Sequence, residues 1–132
     1  MFERTQGTRT WGFRFFAIDA VVIGVLAATA MALRQIENPL WWLVILVAGH
    51  FFLFCNIIRI RRRFELIWAG LFIANIGVWL WFGELGWIGV LCVQLPITVC
   101  LVFLELRSAR YHGVLARRTN PRLNDYLQGK IP

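Results

Sequence analysis

Three polar side chains, His50, Asn75 and Gln94, fall near the middle of three separate apolar stretches. At that depth in a hydrocarbon layer polar groups are costly, so they either bond one another or serve a substrate, a proton or a cofactor. The imidazole of His50 has the chemistry to take a proton, hold a haem iron or bond a quinone oxygen. The amides of Asn75 and Gln94 each offer donors and an acceptor, enough to fix a guest or to bond across helices. A bis-histidine haem within one chain is excluded by inventory, because the other histidine, His112, belongs to the polar C-terminal stretch. Haem on His50 alone, or shared between chains, stays open, and otherwise no cofactor or metal is expected.

A second polar layer, Asp19, Asn56, Glu65 and Glu105, lies toward the ends of the stretches that carry Arg14, Arg59 and Arg61. One use is a proton or cation entry route through Asp19 and Glu105. The other is an ion-paired rim, with Glu65 reaching Arg61 or Arg62 at helical spacing. Cys55, Cys92 and Cys100 show no CxxC spacing and read as small packing residues. There is no glycine-rich phosphate loop, no nucleophile elbow and no HExxH. A catalytic role is not expected.

The elements that must position these residues follow from composition. Of 132 residues 59% are hydrophobic and 16% charged, yet the net charge is +7. Soluble domains are about 25% charged, so the charges here are segregated from long apolar runs. Four runs, 13–33, 40–58, 64–82 and 87–106, each of about 20 residues and about 30 Å as a helix, match the thickness of a bilayer core. The expected fold is an all-α integral membrane protein, a four-transmembrane-helix antiparallel bundle over residues 1–106, followed by a basic tail over 107–132. Ala30-Met31-Ala32 resembles a signal cleavage site, but Asp19 interrupts the apolar run, so an uncleaved first helix is expected.

Of the 14 Lys and Arg residues, Arg4 among them, all but Arg34 fall on one side of this frame. The positive-inside rule then puts both termini in the cytoplasm and makes any homo-oligomer parallel. Trp41, Trp42, Trp79, Trp81 and Trp87 mark the opposite boundary, with Trp11 and Trp68 toward the basic side. Ala20, Gly24, Ala28 and Ala32 put four small side chains on one face of the first helix, a packing seam. Pro96 is expected to kink or open the fourth helix. Arg59, Arg61, Arg62 and Arg63 form a basic hairpin suited to anionic lipid headgroups rather than to nucleic acid.

In the tail, Arg107 to Arg118 is expected to prolong the fourth helix. Asn120-Pro121 reads as a cap and first position of a short amphipathic helix whose Leu123, Tyr126 and Leu127 could dock on a partner or the bilayer. The excess of Arg over Lys suggests a bacterial source, hence the inner membrane. The functional expectation is a non-catalytic accessory, assembly or interaction subunit of a larger membrane complex. The alternatives are a small parallel-oligomer transporter or channel using His50, Asn75 and Gln94, and, third, a haem- or quinone-binding redox subunit.

Overall fold

The structure, a computed structural model, describes residues 9–131; Arg4 lies outside the described residues. Four helices are long and apolar enough to cross a membrane, which makes this a multi-pass membrane protein by length and composition. They are α1 (Ala17–Gln35), α2 (Trp41–Phe52) continued by a π-helical segment (Leu53–Ile58), α3 (Arg62–Trp81) and α4 (Trp87–Leu106). Two short helices, α5 (Ala116–Thr119) and α6 (Leu123–Leu127), complete the fold, and no strand occurs among the described residues.

α1 begins four residues later than its apolar run. The Asp19 carboxylate accepts a 2.7 Å bond from the Phe16 N–H, satisfying a donor that a helix start leaves open. Phe16 itself is extended, at φ −114° and ψ 161°. The residues before it run across the bundle end, where the Arg14 N–H meets the Asn56 carbonyl at 3.1 Å. Asp19 therefore sets the helix boundary.

α1 packs on α2, and α3 on α4. Ala20, Gly24, Ala28 and Ala32 are all exposed, and a Cβ added at Gly24 would meet nothing within 4 Å. α1 instead turns Ile23, Leu26 and Ala27 toward Ile45, Ala48 and Gly49 of α2 across an apolar groove, with Ala30 buried. Four-residue spacing says which side chains share a face, but not which neighbour that face meets. The close glycine approach lies elsewhere, at Gly89 of α4, which sits directly under the Trp79 ring of α3. α4 continues through Pro96, whose ring faces outward.

The chain does not prolong α4 to residue 118. After Leu106 it turns, Ser108 N–H to Glu105 carbonyl at 2.9 Å and Tyr111 N–H to Ser108 carbonyl at 3.0 Å, and folds back onto the end of α2. The physical reason lies in the π-helical segment, whose wider turn leaves carbonyls without intrahelical donors. The Ile57 carbonyl takes the Val114 N–H at 3.1 Å, and the Phe54 carbonyl takes the Ile60 N–H at 2.9 Å. Tyr111, Ala116 and Leu123 then bury themselves against Ile58 in a small core.

Asn120 does not cap a helix at Pro121. Its Oδ1 accepts from the Arg122 N–H at 2.9 Å, and its Nδ2 donates to the Ala109 and Tyr111 carbonyls, both at 2.8 Å. It fastens the turn, and α6 starts two residues beyond Pro121.

Candidate functional site

Sequence periodicity along α4 explains why its polar residues meet α2 and α3. Val90, Gln94, Thr98, Leu101 and Glu105 recur every three or four residues and are all buried, forming one inward face. On α3, Trp68 and Asn75 share a face in the same way, seven residues apart, and both are buried. His50 is the buried residue of α2.

Thr98 is the hub. Its Oγ1 lies 3.0 Å from His50 Nε2, accepts the Trp68 indole N–H at 2.9 Å and is 2.9 Å from the Gln94 carbonyl. The other ring nitrogen, Nδ1, lies 2.9 Å from the Leu46 carbonyl. A carbonyl only accepts, so Nδ1 carries a proton in this geometry. The single hydroxyl proton of Thr98 then goes either to a neutral His50 Nε2 or, when Nε2 is itself protonated, to the Gln94 carbonyl. Both protonation states of His50 are satisfied by the same heavy-atom positions.

Asn75 and Gln94 form the neighbouring part of the network. Asn75 Nδ2 donates to the Val90 carbonyl at 3.0 Å and to Gln94 Oε1 at 3.4 Å, and Gln94 Nε2 donates to the Trp68 carbonyl at 3.4 Å. His50 is thus joined to Gln94 through Thr98 and Trp68 rather than directly. Its ring also stacks on Trp68 with centroids 4.5 Å apart, and Phe54 meets it edge-on at 5.8 Å. A haem iron on Nε2 would have to displace Thr98, while Nδ1 is held by Leu46. Among the described residues no group of three His, Cys, Asp or Glu side chains is placed to hold a metal ion.

Thr98 and Trp68 are the members of this network that the polar inventory missed. Trp68 is no boundary anchor: it is 5% exposed and spends its N–H inside the bundle. The readable signal is the four-residue spacing from Gln94 to Thr98. Replacing Thr98 with valine keeps the shape but strands the Trp68 N–H, and loss of a buried partner costs about 1–3 kcal/mol. Hydrogen bonds between membrane helices run lower, about 0.6 kcal/mol on average. The expected result is a destabilisation of about 1–2 kcal/mol for Thr98→Val and little change for Thr98→Ser, measured by denaturant titration in detergent.

The polar layer toward the basic end is brought together differently from its expected pairing. Glu105 is 1% exposed and pairs with Arg61, Nε to Oε2 at 2.9 Å. Glu65 is left as the acceptor 3.8 Å from the Cys55 thiol, and Asp19 is engaged at the start of α1. Cys92 and Cys100 point outward, away from the core. Of the hairpin arginines, Arg59 turns inward and donates to the Thr10 carbonyl at 2.9 Å, whereas Arg62 and Arg63 are exposed.

The tail side chains offered for docking are used at home. Leu123 is buried against Ile58 and Tyr111, with Leu127 packed beside them. Tyr126 stacks on His112 at 4.9 Å and lies under the Arg9 guanidinium. Arg9 Nη1 also donates to the Ile131 carbonyl at 2.6 Å, and Arg117 covers Trp11.

His112 reports on this docking. Burial is the largest effect holding its pKa below the ordinary 6.5, and the Arg59 and Arg9 charges act in the same direction, against the Arg110 carbonyl and Glu105. A released tail therefore takes up a proton more readily than a docked one. Docking is expected to be flat with pH above 6.5 and to weaken as pH falls below that value toward the lowered native pKa. Hydrogen exchange over residues 116–131, corrected for intrinsic rates, checks this, and His112→Gln should flatten the profile. Comparisons with protein-family models, with curated proteins and with solved structures find no match for this chain.

Proposed function

We propose that the chain is a non-catalytic accessory or assembly subunit of a larger membrane complex, an antiparallel bundle with its basic end and both termini in the cytoplasm. The orientation is supported by the charge asymmetry, in which Arg34 alone among 14 basic residues is set apart. The excess of Arg over Lys favours a bacterial inner membrane as its home. The observation that carries the role is the state of α1. Only 6% of its apolar stretch is buried against this chain, compared with 11% for α3 and 22% for each of the spans that include α2 and α4. Its small-residue seam faces outward, and close helix approach in a membrane uses such seams. The complementary support is that His50, Asn75 and Gln94 are engaged within the fold and serve as its internal fastening.

The seam fits a helix of another protein or of a second, parallel copy. A Cβ added at Gly24 would meet nothing within 4 Å, so Gly24→Leu is expected to leave the bundle itself intact. Purified in mild detergent, the wild type should run as a larger particle than the Gly24→Leu variant. A wild type that is already a monodisperse monomer would sink the proposal.

One observation favours a second reading, a small proton-coupled transporter or channel. The Thr98 hydroxyl can face His50 Nε2 as donor or acceptor, so the imidazole can gain and lose a proton without rearrangement of its neighbours. Proton flux in liposomes that His50→Ala abolishes would move this reading ahead of the first.

A further inference from the structure

Between the extended segment before α1 and the π-helical segment lies a cavity of about 450 Å³ at the basic end of the bundle. Its wall is divided in character: Arg14, Asn56, Arg59 and Arg61 contribute cationic and amide groups, and Phe16 and Phe51 contribute rings. Three observations bear on what this wall can hold.

The first is an orphan. Asn56 is 2% exposed, and its Nδ2 donates to nothing among the described residues. A buried donor without a partner costs about 1–3 kcal/mol and is rare in folded proteins. The second is backbone strain at the same place. The π-helical segment that carries Asn56 is closed by Arg59 in a left-handed conformation at φ 55°, a region that a long side chain seldom occupies. Widened turns and strained residues concentrate where a ligand is held.

The third is charge. Arg61 is neutralised by Glu105, and Asp19 supplies one negative charge while accepting from the Phe16 N–H. No carboxylate among the described residues lies within ion-pair distance of Arg14 or Arg59. Burial, and then the like charge of Arg14, pull the Arg59 guanidinium below its ordinary pKa. With Arg61 paired to Glu105 and one negative charge from Asp19, Arg14 and Arg59 leave the wall with an excess of one positive charge beside an unpartnered amide.

We propose that this cavity binds the phosphate of one anionic glycerophospholipid, with Arg14 and Arg59 facing the phosphate charge, the Asn56 amide donating to a phosphate oxygen, and the acyl chains leaving past Phe16 and Phe51. Guanidinium forks match phosphate oxygens in geometry as well as charge. The divided wall suits an amphiphile better than a free ion, and a site at the end of the spans lies at headgroup depth. This differs from diffuse contact by the basic hairpin, because exposed Arg62 and Arg63 take no part in the cavity. The inference rests on the membrane-spanning reading and is independent of any partner protein.

The test is native mass spectrometry and thermal unfolding of the full chain in detergent, with phosphatidylglycerol, phosphatidylcholine or inorganic phosphate added. One phosphatidylglycerol should be retained per chain with a raised unfolding temperature, and the other two additions should do neither. Loss of one charge-assisted contact should weaken retention about tenfold in Arg14→Gln, with Arg62→Gln unchanged. Asn56→Leu should lose the lipid yet be no less stable without it, because it removes the orphan donor. If Asn56→Leu does not fold, Arg14→Gln decides, since the Arg14 side chain forms no ion pair among the described residues and rests on the Phe16 ring face, at 4.2 Å. Retention unchanged in Arg14→Gln, or equal retention of phosphatidylcholine, overturns the proposal. So does inorganic phosphate that stabilises as well as the lipid, which would mark a free-phosphate site.

Discussion

Replacing Gly113 with alanine is expected to release the C-terminal segment from the bundle while leaving the four long helices in place. A Cβ at this position would sit within 2.7 Å of the Tyr111 hydroxyl, within 2.8 Å of the Ile57 carbonyl oxygen and closer still to that of Ile58. Two of these obstacles are backbone of the π-helical segment, so no rotamer change relieves them. Overpacking of this kind costs about 1–3 kcal/mol, and with backbone in the way the upper end, about 3 kcal/mol, is expected. Against this the segment sets the buried quartet of Ile58, Tyr111, Ala116 and Leu123, the bonds of Asn120 and the contacts of Arg9. The Val114 N–H bond to the Ile57 carbonyl, 3.1 Å long, would be lost first.

Limited trypsin digestion reads this out, because Arg117 and Arg118 are exposed side chains held in a docked backbone. Gly113→Ala should be cut there much faster than the wild type. Gly24→Ala, where a Cβ meets nothing, should be cut at the wild-type rate and gain slightly from helix propensity, up to about 1 kcal/mol. Equal cutting of wild type and Gly113→Ala would mean that the tail is not docked as described. Release would also separate Arg9 from Tyr126 and Trp11 from Arg117, contacts that hold the segment before α1. The two ends of the chain are therefore expected to loosen together.

What the sequence reveals, and what it hides, divides along physical lines. Spans are legible because their signal is local: a run of apolar residues closed by charges, with Trp87 and Leu106 bounding α4 as expected. The depth of His50, Asn75 and Gln94 is legible for the same reason. Their partners are not, since a hydrogen bond between Thr98 and His50 depends on helix rotation and crossing, which hydropathy does not encode. Asp19 reads as a membrane-edge charge, although its position three residues after Phe16 also fits a helix-start acceptor. The tail misleads most. Its amphipathic pattern is real, but amphipathicity states only that Leu123 will be covered, and the cover is Ile58 of the same chain. A π-helical segment is harder still, because nothing in Leu53 to Ile58 breaks an α-helical pattern. It becomes intelligible only when the donors of Arg14 and Val114 arrive at its carbonyls.

Arg61→Met is expected to destabilise the fold by about 3–5 kcal/mol, the range seen when one partner of a buried ion pair is removed. The size follows from an asymmetry in exposure. Glu105 is 1% exposed and Arg61 27%. Removing the arginine leaves a nearly fully buried carboxylate without its ion-pair partner, in a setting where several kcal/mol of desolvation are uncompensated. Removing the acid instead, as Glu105→Leu, leaves a guanidinium whose long stem can swing its head to water, so that variant should lose distinctly less. The double variant Arg61→Met with Glu105→Leu should recover most of the loss, because apolar groups of similar volume replace buried pairs at little net cost. A double-mutant cycle by denaturant titration in detergent measures all three. Equal losses in the two single variants would mean that Glu105 is not desolvated as its burial implies. The pair joins the residue that opens α3 to the last turn of α4. Its loss should therefore be felt first where those helices end, as faster hydrogen exchange around residues 61–65 and 102–106, with the network at Thr98 the slower to follow.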